Sequence, residues 1–109
     1  MKRGSLFSEV PEGALPNELV QILWHTPNVG VQRIVSHGHT SPAGHWYDQD
    51  TDEWVLLVTG RAGLRVEGQE EILEMGPGDY MLLPAHVRHR VEWTDPERDS
   101  VWLTIHVRR

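Results

Sequence analysis

Apolar positions in this chain occur in short runs, and several of these runs alternate with polar positions at every second residue. The runs have the length of strands, and Gly, Pro, Asn and Asp residues, which favour turns, lie between them. No segment of useful length repeats its apolar positions at the period of a helix. The pattern therefore predicts an all-β domain of roughly eight strands, arranged as a sandwich or barrel. The predicted strands are Glu18–His25, Val31–Ser36, Glu53–Thr59, Ala62–Glu67, Glu71–Met75, Tyr80–Leu83, Arg90–Thr94 and Val101–Val107.

The length of the chain limits it to one domain. Its 109 residues leave no room for a second domain. A chain of this size buries roughly 60–70% of its unfolded surface, which is enough for one core. We expect residues 1–14 to form an N-terminal arm and residues 15–109 to form the β-barrel domain.

Composition and charge exclude several classes of function. The absence of cysteine excludes disulfides, thiolate zinc sites and thiol nucleophiles. The net charge is −6 and the basic residues are scattered, so nucleic acid is not an expected partner. No apolar run approaches the ~20 residues of a membrane span, and no apolar stretch of a secretion signal follows Lys2 and Arg3. We therefore expect a soluble cytoplasmic protein without a membrane partner.

The strand that begins at Glu53 carries two different faces. If Glu53 points into the barrel, Val55 and Leu57 point the same way, because side chains alternate along a strand. Trp54 and Leu56 then lie on the outer face, which is too apolar to be left in water. This pattern predicts a homodimer, formed through sheet faces or by exchange of an edge strand.

The segment from Gly78 to His89 is a turn, a short apolar strand and a second turn at Pro84. A turn on each side of a short strand restricts the direction of the histidine that follows it. If His89 points inward, alternation places Val91 and Trp93 on the same face. The sequence therefore predicts that His89 belongs to a site and that Trp93 lies in the same pocket.

Two spacings in this chain resemble the motifs of the cupin superfamily. Glu53, six residues and Gly60 match the second half of the first motif. Gly78, five residues, Pro84-Ala85-His86, two residues and His89 match the second motif, except that His86 replaces the glycine of the family. The resemblance covers residues 30–107 and implies a single small double-stranded β-helix, the cupin or jelly-roll barrel.

The first half of the first motif departs from the family pattern. Cupins carry two alternate histidines three or four residues before the glutamate. A gap of four residues before Glu53 places Trp46 and Asp48 at these positions, and a gap of three places Tyr47 and Gln49 there. Neither register contains a histidine, so the sequence leaves both registers open.

The resemblance implies a metal site. Glu53 and His89 occupy ligand positions of the family, with Asp48 or Gln49 as a further ligand of a divalent transition metal (Fe, Mn, Ni or Zn). A second imidazole would come from another histidine close to the pocket. The candidates are His37, His45 and His86. The alternative is a polar pocket that binds no metal.

Three functions are consistent with these residues. The first is a metal-dependent enzyme, a dioxygenase, isomerase or lyase, that binds a small oxygenated organic molecule and uses Tyr47 or His86 as acid or base. The second is a non-catalytic cupin that binds or senses a small ligand. The third is a structural module with a vestigial site. Nothing in the sequence identifies the small molecule.

Overall fold

The computed structural model describes residues 1–10 and 16–109, which contain eight strands and no helix. The described part of the chain therefore includes no helix long and apolar enough to cross a membrane. The expected boundary between arm and domain, at residues 14 and 15, lies outside the described residues. The strands are β1 Leu19–His25, β2 Val29–Ser36, β3 Asp52–Thr59, β4 Ala62–Val66, β5 Leu73–Met75, β6 Tyr80–Leu83, β7 His89–Thr94 and β8 Ser100–Val107.

The strands form two antiparallel sheets that confirm the all-β prediction. The larger sheet has five strands in the order β1-β2-β8-β3-β6, and the smaller has three in the order β5-β4-β7. The sheets enclose one apolar core, contributed by both. Because β3 belongs to the larger sheet and β7 to the smaller one, residues of the two predicted motifs face each other across this core.

Alternation along β3 matches the prediction. Glu53, Val55 and Leu57 are 8%, 5% and 0% exposed, and the residues between them are only half-buried. Complete burial of a leucine side chain such as Leu57 stabilises the fold by roughly 1.5–3 kcal/mol. The apolar residues after Glu53 therefore anchor β3 in the core and direct the carboxylate toward the same interior.

The motif glycine Gly60 lies in the turn that connects β3 to β4. Its φ is +95°, in the left-handed region that favours glycine. A Cβ at this position would lie 2.3 Å from Ser100 Oγ and 2.5 Å from Ser100 Cα. The turn therefore passes directly against the start of β8, where Arg61 N also donates a hydrogen bond to Ser100 Oγ at 3.3 Å.

A register shift between β4 and β7 changes the direction of Trp93. Leu64 pairs with Val91, whereas Gly63 pairs with Trp93, so Glu92 is an extra residue in β7. A Cβ on Gly63 would lie 2.2 Å from Trp93 Nε1, which places the indole on the face opposite to Leu64. Strict alternation had placed Trp93 in the pocket, and this placement is wrong because a bulge reverses the alternation.

The outer face of the five-stranded sheet is apolar. Strand pairing places five large side chains side by side across all of its strands. Two of them, Trp24 and Leu82, are each 58% exposed. The row consists of Leu82, Trp54, Ile105, Val31 and Trp24. Beside it, the guanidinium of Arg33 donates hydrogen bonds to the carbonyl oxygens of Leu6 and Ser8, which attach the first residues of the chain to the sheet.

Candidate functional site

A cavity of about 70 Å³ lies between the two sheets. Its apolar wall consists of Ile34, Val55, Leu64, Leu83, Val91 and Trp102. Its polar groups are Glu18, Tyr47, Glu53, His89 and Thr104. Tyr47 is 36% exposed, whereas Glu53, His89 and Thr104 are buried. The cavity is therefore a mostly apolar chamber with a few polar groups, which is typical of sites that bind small molecules.

Glu53 and His89 form the central polar pair of the cavity. Their Oε1 and Nε2 atoms are 3.2 Å apart, and their side chains are 11% and 9% exposed. Glu53 is the first inward residue of β3 and His89 is the first residue of β7. The structure therefore brings the two motif residues into contact, as the resemblance to the cupin motifs implied.

The ring of His89 is held in a fixed orientation. Its Nδ1 donates a hydrogen bond to the carbonyl oxygen of Val87 at 3.0 Å. Its main chain pairs with Tyr47 through hydrogen bonds of 2.8 and 3.1 Å. The rings of Tyr47 and His89 lie 5.8 Å apart, tilted by 31°. Since Nδ1 is hydrogen-bonded to the carbonyl oxygen of Val87, Nε2 is the ring nitrogen that can interact with Glu53 and with a molecule in the cavity.

Two opposing effects determine the pKa of His89. Burial lowers the pKa, because it disfavours the charged imidazolium. The hydrogen bond to the Glu53 carboxylate, the bond to Val87 and the charge of Glu53 raise it, and together they more than offset burial. The pKa of His89 therefore lies above the ordinary value of about 6.5. The folded protein favours a protonated His89 beside Glu53.

This raised pKa predicts a pH-dependent stability. A histidine whose pKa is higher in the folded state stabilises the protein fully below about pH 6.5 and loses that contribution as pH rises through its folded pKa. We expect the free energy of unfolding, measured by urea denaturation from pH 6 to pH 8.5, to fall with rising pH. In Glu53→Gln this fall disappears or reverses, because burial then dominates the pKa of His89. An unchanged pH slope in the variant would contradict the assignment to this pair.

His106 is a third residue at this site, and sequence reasoning assigned it no role there. Its Nε2 lies 3.7 Å from Oε2 of Glu53, while His89 faces Oε1. Thr51 Oγ1 lies 3.4 Å from its other ring nitrogen. Glu53 and His106 lie opposite each other on the paired strands β3 and β8, and this register places their side chains next to each other. Alternation along β8 from the apolar Trp102 was the signal that could have identified His106.

Asp48, Gln49 and His86 form a separate group of contacts outside the cavity wall. Asp48 Oδ1 contacts Nδ1 of His86 at 2.8 Å, with side chains that are 48% and 70% exposed. The main chain of Gln49 accepts a hydrogen bond from His86 N. His86 has a φ of 67°, so a left-handed turn residue occupies the glycine position of the second motif. Asp48, Gln49 and His86 are not among the residues that line the cavity with Glu53.

The other two candidate histidines also lie outside the cavity wall. His37 Nδ1 contacts Asp99 Oδ1 at 2.9 Å, in the loops that flank the start of β8. His45 is exposed and packs edge-on against the ring of Tyr47, with ring centres 4.8 Å apart. Of the predicted catalytic, metal and pocket residues, the structure therefore brings together Tyr47, Glu53 and His89.

The nitrogen and oxygen atoms around Glu53 can be compared with the ligands that a metal ion requires. A first-row transition metal needs three or four convergent nitrogen or oxygen ligands. Glu53 and His89 supply one carboxylate and one imidazole, and His106 faces the other carboxylate oxygen at a longer distance. Within residues 1–10 and 16–109, no group of three or more His, Cys, Asp or Glu residues is placed to hold a metal ion. The donor set does not fit a mononuclear metal site.

Comparison with protein families and solved structures agrees with this fold. The sequence model of the cupin domain matches residues 31–106. A structure from Methanocaldococcus jannaschii, an RmlC-like cupin family protein with a double-stranded β-helix fold, superposes with a TM-score of 0.69. It is 18% identical, and the match covers 84% of this chain and 81% of that one. The double-stranded β-helix predicted from the motifs is therefore confirmed.

The descriptions of two further similar proteins each name an activity. A crystal structure from Ralstonia eutropha JMP134, provisionally described as a mannose-6-phosphate isomerase, is 44% identical with a TM-score of 0.96, and the match covers 100% of both chains. A 3-hydroxyanthranilate 3,4-dioxygenase of Paraburkholderia phytofirmans is 35% identical over 66 residues. That match covers 59% of this chain and only 37% of the dioxygenase.

Proposed function

This chain belongs to the cupin domain family, and from that premise we propose that it binds a small oxygenated organic molecule in the cavity between its sheets and transfers protons within it. The observation that supports this proposal is the contact between Glu53 and His89. The two groups lie 3.2 Å apart, almost fully buried, in an otherwise mostly apolar chamber. A carboxylate and an imidazole in such a place form an acid–base pair at a position that a small molecule can reach.

The pair is suited to proton transfer beside a carbonyl group. In a compound with a hydroxyl group on the carbon next to the carbonyl, Glu53 removes the proton of that carbon while protonated His89 donates its Nε2 proton to the carbonyl oxygen, and an enediol forms. Glu53 then returns its proton to the former carbonyl carbon, neutral His89 takes the proton of the other hydroxyl group, and the isomeric carbonyl compound forms. The raised pKa of His89 supports its role as the acid, because the imidazolium persists closer to neutral pH.

The descriptions of the relatives support this chemistry to different extents. Isomerisation of a sugar, named in the description of the Ralstonia protein, proceeds by proton transfer between adjacent carbons, which a carboxylate and an imidazole can perform. The Paraburkholderia protein is named as a dioxygenase, but its match with this chain covers only 37% of that enzyme. We therefore propose acid–base chemistry and propose no oxygen-dependent step.

Deuterium exchange tests the proposal directly. The protein is incubated in D₂O with hydroxyacetone, and the protons beside the carbonyl group are followed by NMR. We expect exchange above the buffer rate, and a loss of roughly 100-fold or more in Glu53→Gln and in His89→Gln.

A matched variant provides the control for this exchange. Glu18→Gln changes another carboxylate of the cavity wall, one already bonded to Ser36 Oγ, and should retain most of the exchange. Exchange at the buffer rate, or exchange that persists in Glu53→Gln, would contradict the proposed chemistry. Binding of hydroxyacetone without exchange would support the non-catalytic alternative.

Elemental analysis decides between this proposal and a metal-dependent function. The protein is purified without added metal and analysed for Fe, Mn, Ni and Zn. We expect far less than one metal ion per chain, because no group of three or more His, Cys, Asp or Glu residues in the described part of the chain is placed to hold one. A nearly stoichiometric metal that is lost in both Glu53→Ala and His89→Ala would favour the metal-dependent alternative.

We also propose that the protein is a homodimer whose subunits meet through the outer face of the five-stranded sheet. Five strands about 4.8 Å apart make this face about 20 Å wide. A stable interface of the standard size buries about 800 Å² on each partner. Trp54 lies on β3 between Leu82 and Ile105 in the apolar row, and it packs against Tyr80 with ring centres 5.7 Å apart. An uncovered surface of this kind is unfavourable for a monomer in water.

A further inference from the structure

The hydroxyl group of Thr104 is a buried polar group that the proposed proton transfer does not use. Thr104 is 2% exposed and lines the cavity. Its Oγ1 is buried and has no hydrogen-bond partner among the described residues. A buried hydroxyl without a partner costs stability, so an unpaired group in a cavity wall indicates an interaction that the free protein lacks.

Thr104 lies at a different depth from the acid–base pair. On the paired strands β3 and β8, Glu53 lies opposite His106 and Val55 lies opposite Thr104. Thr104 is therefore displaced from the residue opposite Glu53 by two residues of β8, which is about 6–7 Å along the strand. A molecule that contacts both Glu53 and Thr104 needs two polar atoms separated by two or three carbon atoms.

The charges around the cavity disfavour anions. Of the described residues in its wall, Glu18 and Glu53 are carboxylates and His89 is the one group that can carry a positive charge. Recognition of phosphate in proteins relies on Arg, Lys or the N-terminus of a helix. Arg90 points away from the cavity, since its guanidinium donates hydrogen bonds to the carbonyl oxygens of Pro42 and His45.

The separation of the polar groups indicates the kind of molecule that fits. The cavity has a volume of about 70 Å³ and opens beside Tyr47, which is 36% exposed. A three-carbon hydroxycarbonyl compound carries two oxygen atoms at the separation that contact with both Glu53 and Thr104 requires.

We propose that Thr104 determines the specificity of this site for a small uncharged hydroxycarbonyl compound and that the site rejects carboxylates and phosphate esters. The inference rests on the proposed function, because the carbonyl end of the molecule contacts Glu53 and His89. The hydroxyl of Thr104 binds the oxygen at the other end. This inference predicts that the phosphate ester named in the description of the Ralstonia relative does not bind at this site.

Three probes and one isosteric variant test this inference. Hydroxyacetone, pyruvate and dihydroxyacetone phosphate are titrated against labelled protein, and the indole N–H resonance of Trp102 in the cavity wall is followed by NMR. We expect a dissociation constant in the millimolar range for hydroxyacetone, as suits about five non-hydrogen atoms. Pyruvate should bind at least about tenfold more weakly, and dihydroxyacetone phosphate should cause no shift.

The variant Thr104→Val has two expected effects of opposite sign. It should weaken hydroxyacetone binding by about tenfold and raise the Tm of the free protein, because it removes an unpaired buried hydroxyl. Thr94→Val is the matched control, since Thr94 is equally buried but donates a hydrogen bond to the carbonyl oxygen of His39 at 2.7 Å. The control should lower the Tm and leave the affinity for hydroxyacetone unchanged.

The outcomes separate this inference from the function on which it rests. Tighter binding of pyruvate or dihydroxyacetone phosphate than of hydroxyacetone would overturn the inference and leave the acid–base site intact. Unchanged hydroxyacetone affinity in Thr104→Val would overturn the role of Thr104. If none of the three probes binds, both the inference and the proposed function are wrong.

Discussion

Replacement of Gly60 by alanine is expected to lower the free energy of unfolding by roughly 2–5 kcal/mol. A φ of +95° costs an L-residue about 1–2 kcal/mol. The new methyl group would also lie 2.5 Å from Cα of Ser100, which is main chain and has little freedom to move. Relief of such an overlap costs a further ~1–3 kcal/mol. Urea denaturation of the variant and the wild-type protein measures the difference.

A second glycine separates the two contributions. Gly68 has a similar φ of +89°, but a Cβ there would meet no atom within 4 Å. Gly68→Ala should therefore cost only about 1–2 kcal/mol, the cost of the main-chain conformation alone. An equal loss in both variants would show that contact between the β3–β4 turn and Ser100 does not constrain the motif glycine.

Replacement of Trp54 by glutamate should dissociate the proposed homodimer. We expect the dissociation constant to rise by about a thousandfold, because the change removes a large aromatic anchor and places a charge in an apolar interface. Trp54 is only partly buried in the isolated chain, so the fold should tolerate the change. Sedimentation equilibrium gives the dissociation constant, and light scattering after size exclusion gives the mass of the main species.

A charge introduced elsewhere is the control for this experiment. Ile72 is 47% exposed and packs near Trp93, on the outer face of the three-stranded sheet. Ile72→Glu should leave the mass of the main species unchanged. A monomeric wild-type protein at micromolar concentration, or dimers that persist in Trp54→Glu, would rule out the proposed interface.

The strands could be predicted because apolar periodicity reports directly on side-chain direction. Each of the eight predicted segments overlaps an observed strand, and the burial of Glu53, Val55 and Leu57 follows the predicted alternation. The cupin spacing identified Glu53 and His89 as partners, and they lie in contact. Motif spacing was informative here because both residues are held by turns close to them in the sequence.

Other parts of the site could not be predicted from local pattern. Asp48 and Gln49 occupy plausible ligand positions by counting, but Asp48 contacts His86 and the main chain of Gln49 pairs with His86. The extra residue Glu92 in β7 turned Trp93 away from the cavity. A bulge adds one residue without changing the apolar pattern, so alternation alone cannot reveal it.

The sequence by itself determined the fold class and the main faces of β3, because these depend on side-chain alternation and turn residues over a few neighbouring positions. The pairing of Glu53 with His89 followed from the resemblance to the cupin motifs, since the two residues lie on strands of different sheets. The tertiary structure alone decided that His106 and Thr104 join the site. Their placement depends on the pairing of β8 with β3 and on its register, which brings together residues about fifty positions apart. Alternation along β8 groups Trp102, Thr104 and His106 on one face, but it does not show which strand lies beside them.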